Sequence, residues 1–148
     1  MLLVVQHTPS PAVQAMLEAV LRGAHHPELP PLEVVVDAAL GPNVSNVLAA
    51  DAVLLGTPAN IGSMSGALKH WFDQVYYPCL EVTVGKPYGV YVHGNDDTSG
   101  TLRSVHSIAG GMSWKQVAGD VSVTGAPTKE DLERCEELGA LLGFAATG

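Results

Sequence analysis

Short aliphatic and β-branched runs alternate along the chain with segments whose apolar residues recur every three or four positions. The first run, "LLVVQ" (2–6), reads as a buried strand. "SPAVQAMLEAVLRGA" follows as a helix, with Ser10 as N-cap, Pro11 at the first helical position, and Val13, Met16, Leu17, Val20 and Leu21 on one face. "LEVVVDA" (32–38) predicts a second strand, "NVSNVLAA" a short helical connector and "DAVLLG" (51–56) a third strand. A loop poor in large side chains, "TPANIGSMSG", leads into a helix over 64–77 with Met64, Leu68, Trp71, Phe72 and Val75 on its apolar face. "KPYGVYVHG" (86–94) is a fourth strand and "TLRSVHSIAGGM" a fourth helix. A last strand over 114–125, broken at Gly119, precedes a helix opened by the Thr128–Asp131 capping box and carrying Leu132, Cys135, Leu138 and Leu142.

Parallel strands need crossover connections, so this alternation predicts one α/β domain over 1–148. Its core is a doubly wound five-stranded parallel sheet, order 2-1-3-4-5, with helices on both faces. Ligands of such sheets bind beyond the carboxyl ends of the strands, where strand order reverses. Three loops fall there: 7–12, 57–63 and 93–100. In the first, Thr8 and Ser10 offer hydroxyls beside the free N–H groups and positive dipole of a helix start, an arrangement suited to phosphate and equally to plain helix capping. Pro9 and Pro11 remove two backbone donors there. In the second, Ala59, Asn60 and Ile61 are spaced to lie flat against a ring system, with Gly62 free to adopt backbone geometry closed to other residues; an ordinary strand-to-helix turn reads the same way. In the third, His93, Asn95 and Thr98 are suited to a heterocycle, while Asp96 and Asp97 read as solvated.

Composition narrows the field. Seven Lys+Arg against 15 Asp+Glu give a formal charge of -8, which disfavours nucleic acid and anionic membrane as partners. Hydrophobic residues make up 47% and charged residues 15%, the balance of a folded chain rather than a disordered one. The longest apolar run is about five or six residues, too short to span a bilayer. "MLLVVQ" lacks the basic start of a signal peptide, and Cys79 and Cys135, without CxxC spacing, read as free thiols. Together these predict a cytoplasmic protein. No acids, His or Cys stand at metal-ligand spacing, so no metal site is expected. Phosphoacceptor, cysteine-phosphatase, GxGxxG, P-loop and GxSxG readings each lack their key residues.

The segment "ADAVLLGTPANIGSMSGALKHWFDQ" resembles the third strand, flavin loop and following helix of the flavodoxin-like superfamily. It is most similar to the small flavoproteins related to NAD(P)H:quinone oxidoreductases and NADPH-dependent FMN reductases. "GKPYGVYVHGNDDTSGTLRSVHSIAGGMSW" resembles the next strand, flavin loop and helix, and "LLVVQHTPSPAVQAM" resembles, more loosely, the first strand and phosphate loop. The resemblance implies FMN as cofactor, with NADPH or NADH as electron donor. It implies that Thr8, Ser10 and the backbone of Ala12 and Val13 hold the phosphate. Pro58, Ala59, Asn60, Ile61 and Gly62 would lie along the isoalloxazine, and His93, Gly94, Asn95, Thr98 and Gly100 would border its other side or pyrimidine edge.

The implied activity is electron or hydride transfer through the flavin to a small-molecule or protein redox partner, with no catalytic side chain assigned. Neither ring-side loop contains an aromatic residue, which favours an enzyme over a flavodoxin-type electron carrier. The carrier, and a flavin-free binding module on the same fold, stand as alternatives. Tyr76, Tyr77 and Cys79 are candidates for packing under the following loop, for a wall on the substrate side of the flavin, or for a contact in a homo-oligomer.

Overall fold

Leu2 and Val4 point to one side of the first strand and Leu3 and Val5 to the other, and all four are fully buried. A strand covered on both faces has no polar alternation, and this explains the unbroken apolar runs in the sequence. The computed structural model describes residues 1–148. In chain order its elements are β1 (Leu2–Gln6), α1 (Pro11–Ala24), β2 (Val34–Ala38), α2 (Val44–Ala49), β3 (Ala52–Asn60), β4 (Ser63–Met64), α3 (Gly66–Cys79), β5 (Pro87–Gly94), α4 (Ser99–Gly111), β6 (Lys115–Gln116), β7 (Val121–Thr124) and α5 (Lys129–Thr147).

The sheet runs β2-β1-β3-β5, with β6 pairing the start of β5 and β7 its end, all parallel. The short β6 and β7 are two pieces of one fifth strand, interrupted across 117–120 around Gly119. With the antiparallel β4 set aside, the predicted order 2-1-3-4-5 is the observed one.

Several boundaries differ from the sequence reading. The third strand does not stop at Gly56. It continues through Thr57 and Pro58, which pair with Val92 and His93, and folds back through Ala59–Met64 and Asn60–Ser63 as a hairpin. Pro58 is tolerated because β1 has already ended opposite Gly56, leaving one side of the strand without a partner. The third helix consequently begins at Gly66, after the Ser65 cap, and Met64 belongs to β4. The second strand begins at Val34 rather than Leu32, and the fourth helix at Ser99 rather than Thr101.

Two cores flank the sheet. On one face Leu3, Val5, Val53, Leu55 and Val90 meet Leu68, Trp71, Phe72 and Val75 of α3 and Val105 and Ala109 of α4. On the other, Leu2, Val4, Leu54 and Tyr91 meet Val13, Met16 and Val20 of α1 and Cys135, Leu138 and Leu142 of α5. Each fully buried aliphatic side chain contributes about 1.5–3 kcal/mol relative to exposure, so the predicted helix faces supply most of the binding energy between layers. Helices α1 and α5 touch through glycines. A Cβ on Gly23 would sit 1.8 Å from the Glu136 carbonyl oxygen, and one on Gly139 2.0 Å from that of Val20. No helix is long and apolar enough to cross a membrane.

Candidate functional site

The carboxyl ends of β1, β3, β5 and β7 converge on one rim, and each is followed by a short polar loop. After β1, the His7 N–H donates to the Gly56 carbonyl at 3.2 Å and ties the first loop to β3. Ser10 is extended, its hydroxyl accepting the Val13 N–H at 3.4 Å and its carbonyl the Gln14 N–H at 3.0 Å. The Thr8 hydroxyl is turned back onto the Gln6 side chain. Around Pro9 and Pro11, which donate nothing, the N–H groups of Thr8, Ser10 and Ala12 meet no acceptor within the protein.

The second loop is the β3–β4 hairpin. Ile61 (φ 50) and Gly62 (φ 73) form its two-residue tip, both in the left-handed region that a type I′ turn demands. Gly62 adopts this freely. Ile61 does so at a cost, since a β-branched side chain crowds its own carbonyl there, and its side chain stands fully in solvent. The hairpin is held from below. Buried Thr57 accepts the Ser65 N–H at 3.1 Å, and Ser65 caps α3 through the Leu68 N–H at 3.1 Å. From α4, the Thr101 hydroxyl donates to the Ser63 carbonyl at 2.8 Å, and Ser104 accepts the Met64 N–H at 3.4 Å. Gly100 lies so near the tip that a Cβ there would fall 2.3 Å from the Gly62 carbonyl oxygen.

The third loop follows β5. Buried Gly94 packs against the hairpin, where a Cβ would press on Ala59 at 3.2 Å. His93 Nε2 lies 2.7 Å from the Gly125 carbonyl, an acceptor, so Nε2 carries the proton and Nδ1 stays free in the neutral ring. The Ser99 N–H and hydroxyl both bind Asp97 and hold its carboxyl below the ordinary carboxylate range.

Two adjoining open clefts result. One, of ≈ 440 Å³, runs from Pro9, Ser10, Pro11 and Ala12 past Pro58, Ala59 and Asn60 to His93, Gly94 and Asn95, and is closed by Gly125 and Ala126. The second, of ≈ 540 Å³, shares Ala59, Gly94 and Asn95 and extends between Ile61–Gly62 and Asp96, Asp97, Ser99, Gly100 and Arg103. No aromatic side chain lines either cleft.

Of the residues singled out from the sequence, Ser10, Ala12, Pro58, Ala59, Asn60, Ile61, Gly62, His93, Gly94, Asn95 and Gly100 come together on these walls. Thr8, Val13 and Thr98 do not. Val13 spends its N–H on the Ser10 cap, and the buried Thr98 hydroxyl is bonded to Ser122. Gly125, Ala126 and Arg103 went unnoticed in the sequence. The first two follow the fifth strand, whose carboxyl end belongs to the same rim, and "TGAPT" carries the Gly and Pro that mark a turn. Tyr76, Tyr77 and Cys79 are corrected as a substrate wall. The Tyr76 hydroxyl lies against Gly111 at the far end of α4 from Gly100, Tyr77 is exposed, and Cys79 is fully buried, its thiol pushed up by that burial.

Comparison with solved structures finds the same architecture repeatedly. A flavodoxin, WrbA-like protein from Agrobacterium tumefaciens is 21% identical with TM-score 0.79, over 99% of this chain and 96% of that one. A flavodoxin from the domain Archaea superposes with TM-score 0.82 at 17% identity, over 99% of both chains. The Megasphaera elsdenii flavodoxin, in its two-electron reduced form, gives TM-score 0.79 at 20% identity over 100% of both. A search of curated proteins returns no match. The sequence profile described as NADPH-dependent FMN reductase matches residues 28–127, a stretch that includes the hairpin, the β5 loop and both closing residues Gly125 and Ala126. The chain belongs to the NADPH-dependent FMN reductase family and is an FMN-binding oxidoreductase of flavodoxin-like fold.

Proposed function

We propose that the double cleft is the FMN site of this chain, and that the protein passes electrons from NADPH or NADH to a small-molecule acceptor. The supporting observation is the donor set. Three N–H groups without a protein acceptor, at Thr8, Ser10 and Ala12, lie at or just before the start of α1, where the helix dipole adds positive potential. A phosphate is the group such donors suit. The adjoining walls are bare peptide from Pro58 to Gly62 and from His93 to Asn95, suited to a flat heterocycle with polar edges. The residues present therefore fit FMN, with Ser10 and Ala12 at its phosphate end.

Bound flavin supplies hydride acceptance and electron delivery, which is why no side-chain acid, base or nucleophile is needed. The protein's part is placement. Thr101, Ser104 and Gly100 fix the hairpin against α4, and His93 keeps its free Nδ1 at the rim while Nε2–H holds the Gly125 carbonyl. The lack of an aromatic lid leaves a flavin face open to donor and acceptor in turn, which supports an enzyme over a carrier. The two buried free thiols, Cys79 and Cys135, agree with a cytoplasmic setting.

The test is spectroscopic. Purified protein titrated with FMN is expected to show quenched flavin fluorescence at saturation, and its visible bands to bleach on adding NADPH or NADH anaerobically. Bleaching only through an added reductase would replace the enzyme with a carrier. Unchanged fluorescence at excess FMN would reject the site.

A further inference from the structure

The chain has seven Lys and Arg residues, and five of them are engaged. Arg22 pairs with Glu136, Lys69 with Asp73, Lys129 with Glu133 and Arg134 with Asp131, while Lys86 donates to the Val47 and Ala50 carbonyls. Lys115 and Arg103 have no such partner. Lys115 pairs in register with Pro87 at the start of β5, remote from the clefts. Arg103 lines the ≈ 540 Å³ cleft between the hairpin tip and the β5 loop.

Asp96 and Asp97 line the same cleft and neither forms an ion pair with Arg103, although its charge adds to the Ser99 hydrogen bonds in lowering the Asp97 carboxyl. One Asp97 oxygen accepts the Ser99 N–H at 2.9 Å and the other the Ser99 hydroxyl at 2.8 Å. That leaves an exposed guanidinium, with five N–H donors in a planar fork, at the mouth of a flavin cleft on a protein of formal charge -8. A negative surface penalises every anionic substrate unless a cation meets its charge. An electron-donating nicotinamide dinucleotide is such a substrate, since its reduced ring is uncharged and its phosphates carry all its charge at neutral pH. A planar fork is the side chain best matched to phosphate oxygens.

We propose that Arg103 anchors a phosphate group of the electron-donating dinucleotide and so makes this cleft accept that donor. The inference rests on the flavin reading above, since it places the donor beside the flavin cleft. Two phosphate sources share this chemistry, the 2′-phosphate found only in the NADP form and the bridging pyrophosphate common to both.

The test uses the full chain, with and without FMN, titrated with NADP⁺ and with NAD⁺ by calorimetry, for wild type, Arg103→Gln and Arg103→Lys. FMN affinity from fluorescence quenching is measured on the same samples. Expected is a loss of about tenfold or more in NADP⁺ affinity for Arg103→Gln, partial retention in Arg103→Lys, and FMN affinity unchanged in both. Wild-type NADP⁺ affinity should weaken as salt rises and that of Arg103→Gln much less so. Loss confined to NADP⁺ assigns the 2′-phosphate; equal loss for NAD⁺ assigns the pyrophosphate. Unchanged nucleotide affinity in Arg103→Gln with normal FMN binding overturns the inference and spares the flavin site. Loss of FMN affinity with unchanged nucleotide affinity also overturns it, reassigning Arg103 to the flavin. No FMN uptake by wild type rejects the flavin site and the inference with it, a failure that the FMN titration tells apart from failure of the anchor alone.

Discussion

The two rims of the sheet handle their polar groups in opposite ways. At the amino rim, side chains tie polar groups to one another. The Met1 ammonium sits 2.5 Å from Asp51, and Lys86 Nζ donates to the carbonyls of Val47 in α2 and of its C-cap Ala50 at 2.6 Å each. Trp114 donates to the buried Thr83 hydroxyl at 2.9 Å, which in turn donates to the Cys79 carbonyl at 2.7 Å. Tyr88, His106 and Asp120 form a chain, with the Tyr88 hydroxyl 2.6 Å from Nδ1 and the carboxylate 2.9 Å from Nε2. A neutral imidazole satisfies both neighbours by accepting from the tyrosine and donating to the aspartate. At the carboxyl rim the opposite holds. Backbone donors at Thr8, Ser10 and Ala12 are left unmet, prolines and glycines replace bulk, and a hairpin ends on a strained isoleucine. Unmet donors at one end and met ones at the other mark where a ligand completes the structure and where the protein completes itself.

If that division is real, substitutions at the two rims should separate binding from stability. The largest effect is expected from Gly100→Val, whose side chain must displace the hairpin tip. FMN affinity, read by fluorescence quenching, should fall about a hundredfold, corresponding to about 3 kcal/mol, with far-ultraviolet circular dichroism retained. Full FMN affinity in this variant would mean that the tip's position is immaterial. Next is His106→Ala at the opposite rim. Leaving Tyr88 and Asp120 without their partner should cost about 2 kcal/mol in urea unfolding, while FMN affinity stays as in wild type; an affinity loss would erase the distinction between the rims.

Ile61→Asn tests the strain at the tip from the other side. Asparagine tolerates the left-handed region and suits the position before Gly62, so stability should rise by about 1 kcal/mol. A fall would show that the isoleucine is held by something other than the turn. The smallest effect concerns Asp131. Its carboxyl is held low by the Thr128 N–H and then by Arg134. A depressed folded-state value contributes stability above the ordinary aspartate range that disappears as pH falls through the folded value. Asp131→Asn should therefore lower Tm slightly at neutral pH and leave it unchanged in acid, flattening the acid limb; the effect is small because the group is near the surface.

What could be read in advance was whatever local patterning controls. The aliphatic runs became the buried strands, Ser10 and the Thr128–Asp131 pair became caps, and Trp71, Phe72 and Val75 became one wall of the core. The flavodoxin-like order followed from alternation alone. The hairpin was hidden because "TPAN" has weak strand propensity and its tip carries Ile-Gly rather than the Asn-Gly that announces such a turn. Thr98 looked free in the sequence because the partner of its hydroxyl, Ser122, lies on another strand. Val13 is not free because the Ser10 cap already uses the N–H that a phosphate would want. Nothing local marks Arg103 in the sequence, and only its place on the cleft wall separates it from the equally unpaired Lys115.

The glycine contacts between α1 and α5 carry a consequence for the ligand end of the molecule. Backbone against backbone leaves no compressible side chain to absorb a shift, so the two helices behave as one stiff beam. One end of that beam is the turn that presents Ser10 and Ala12. Loss or loosening of residues 129–147 would be felt first as misaim of the anion cradle, at the opposite end of the sequence from the damage.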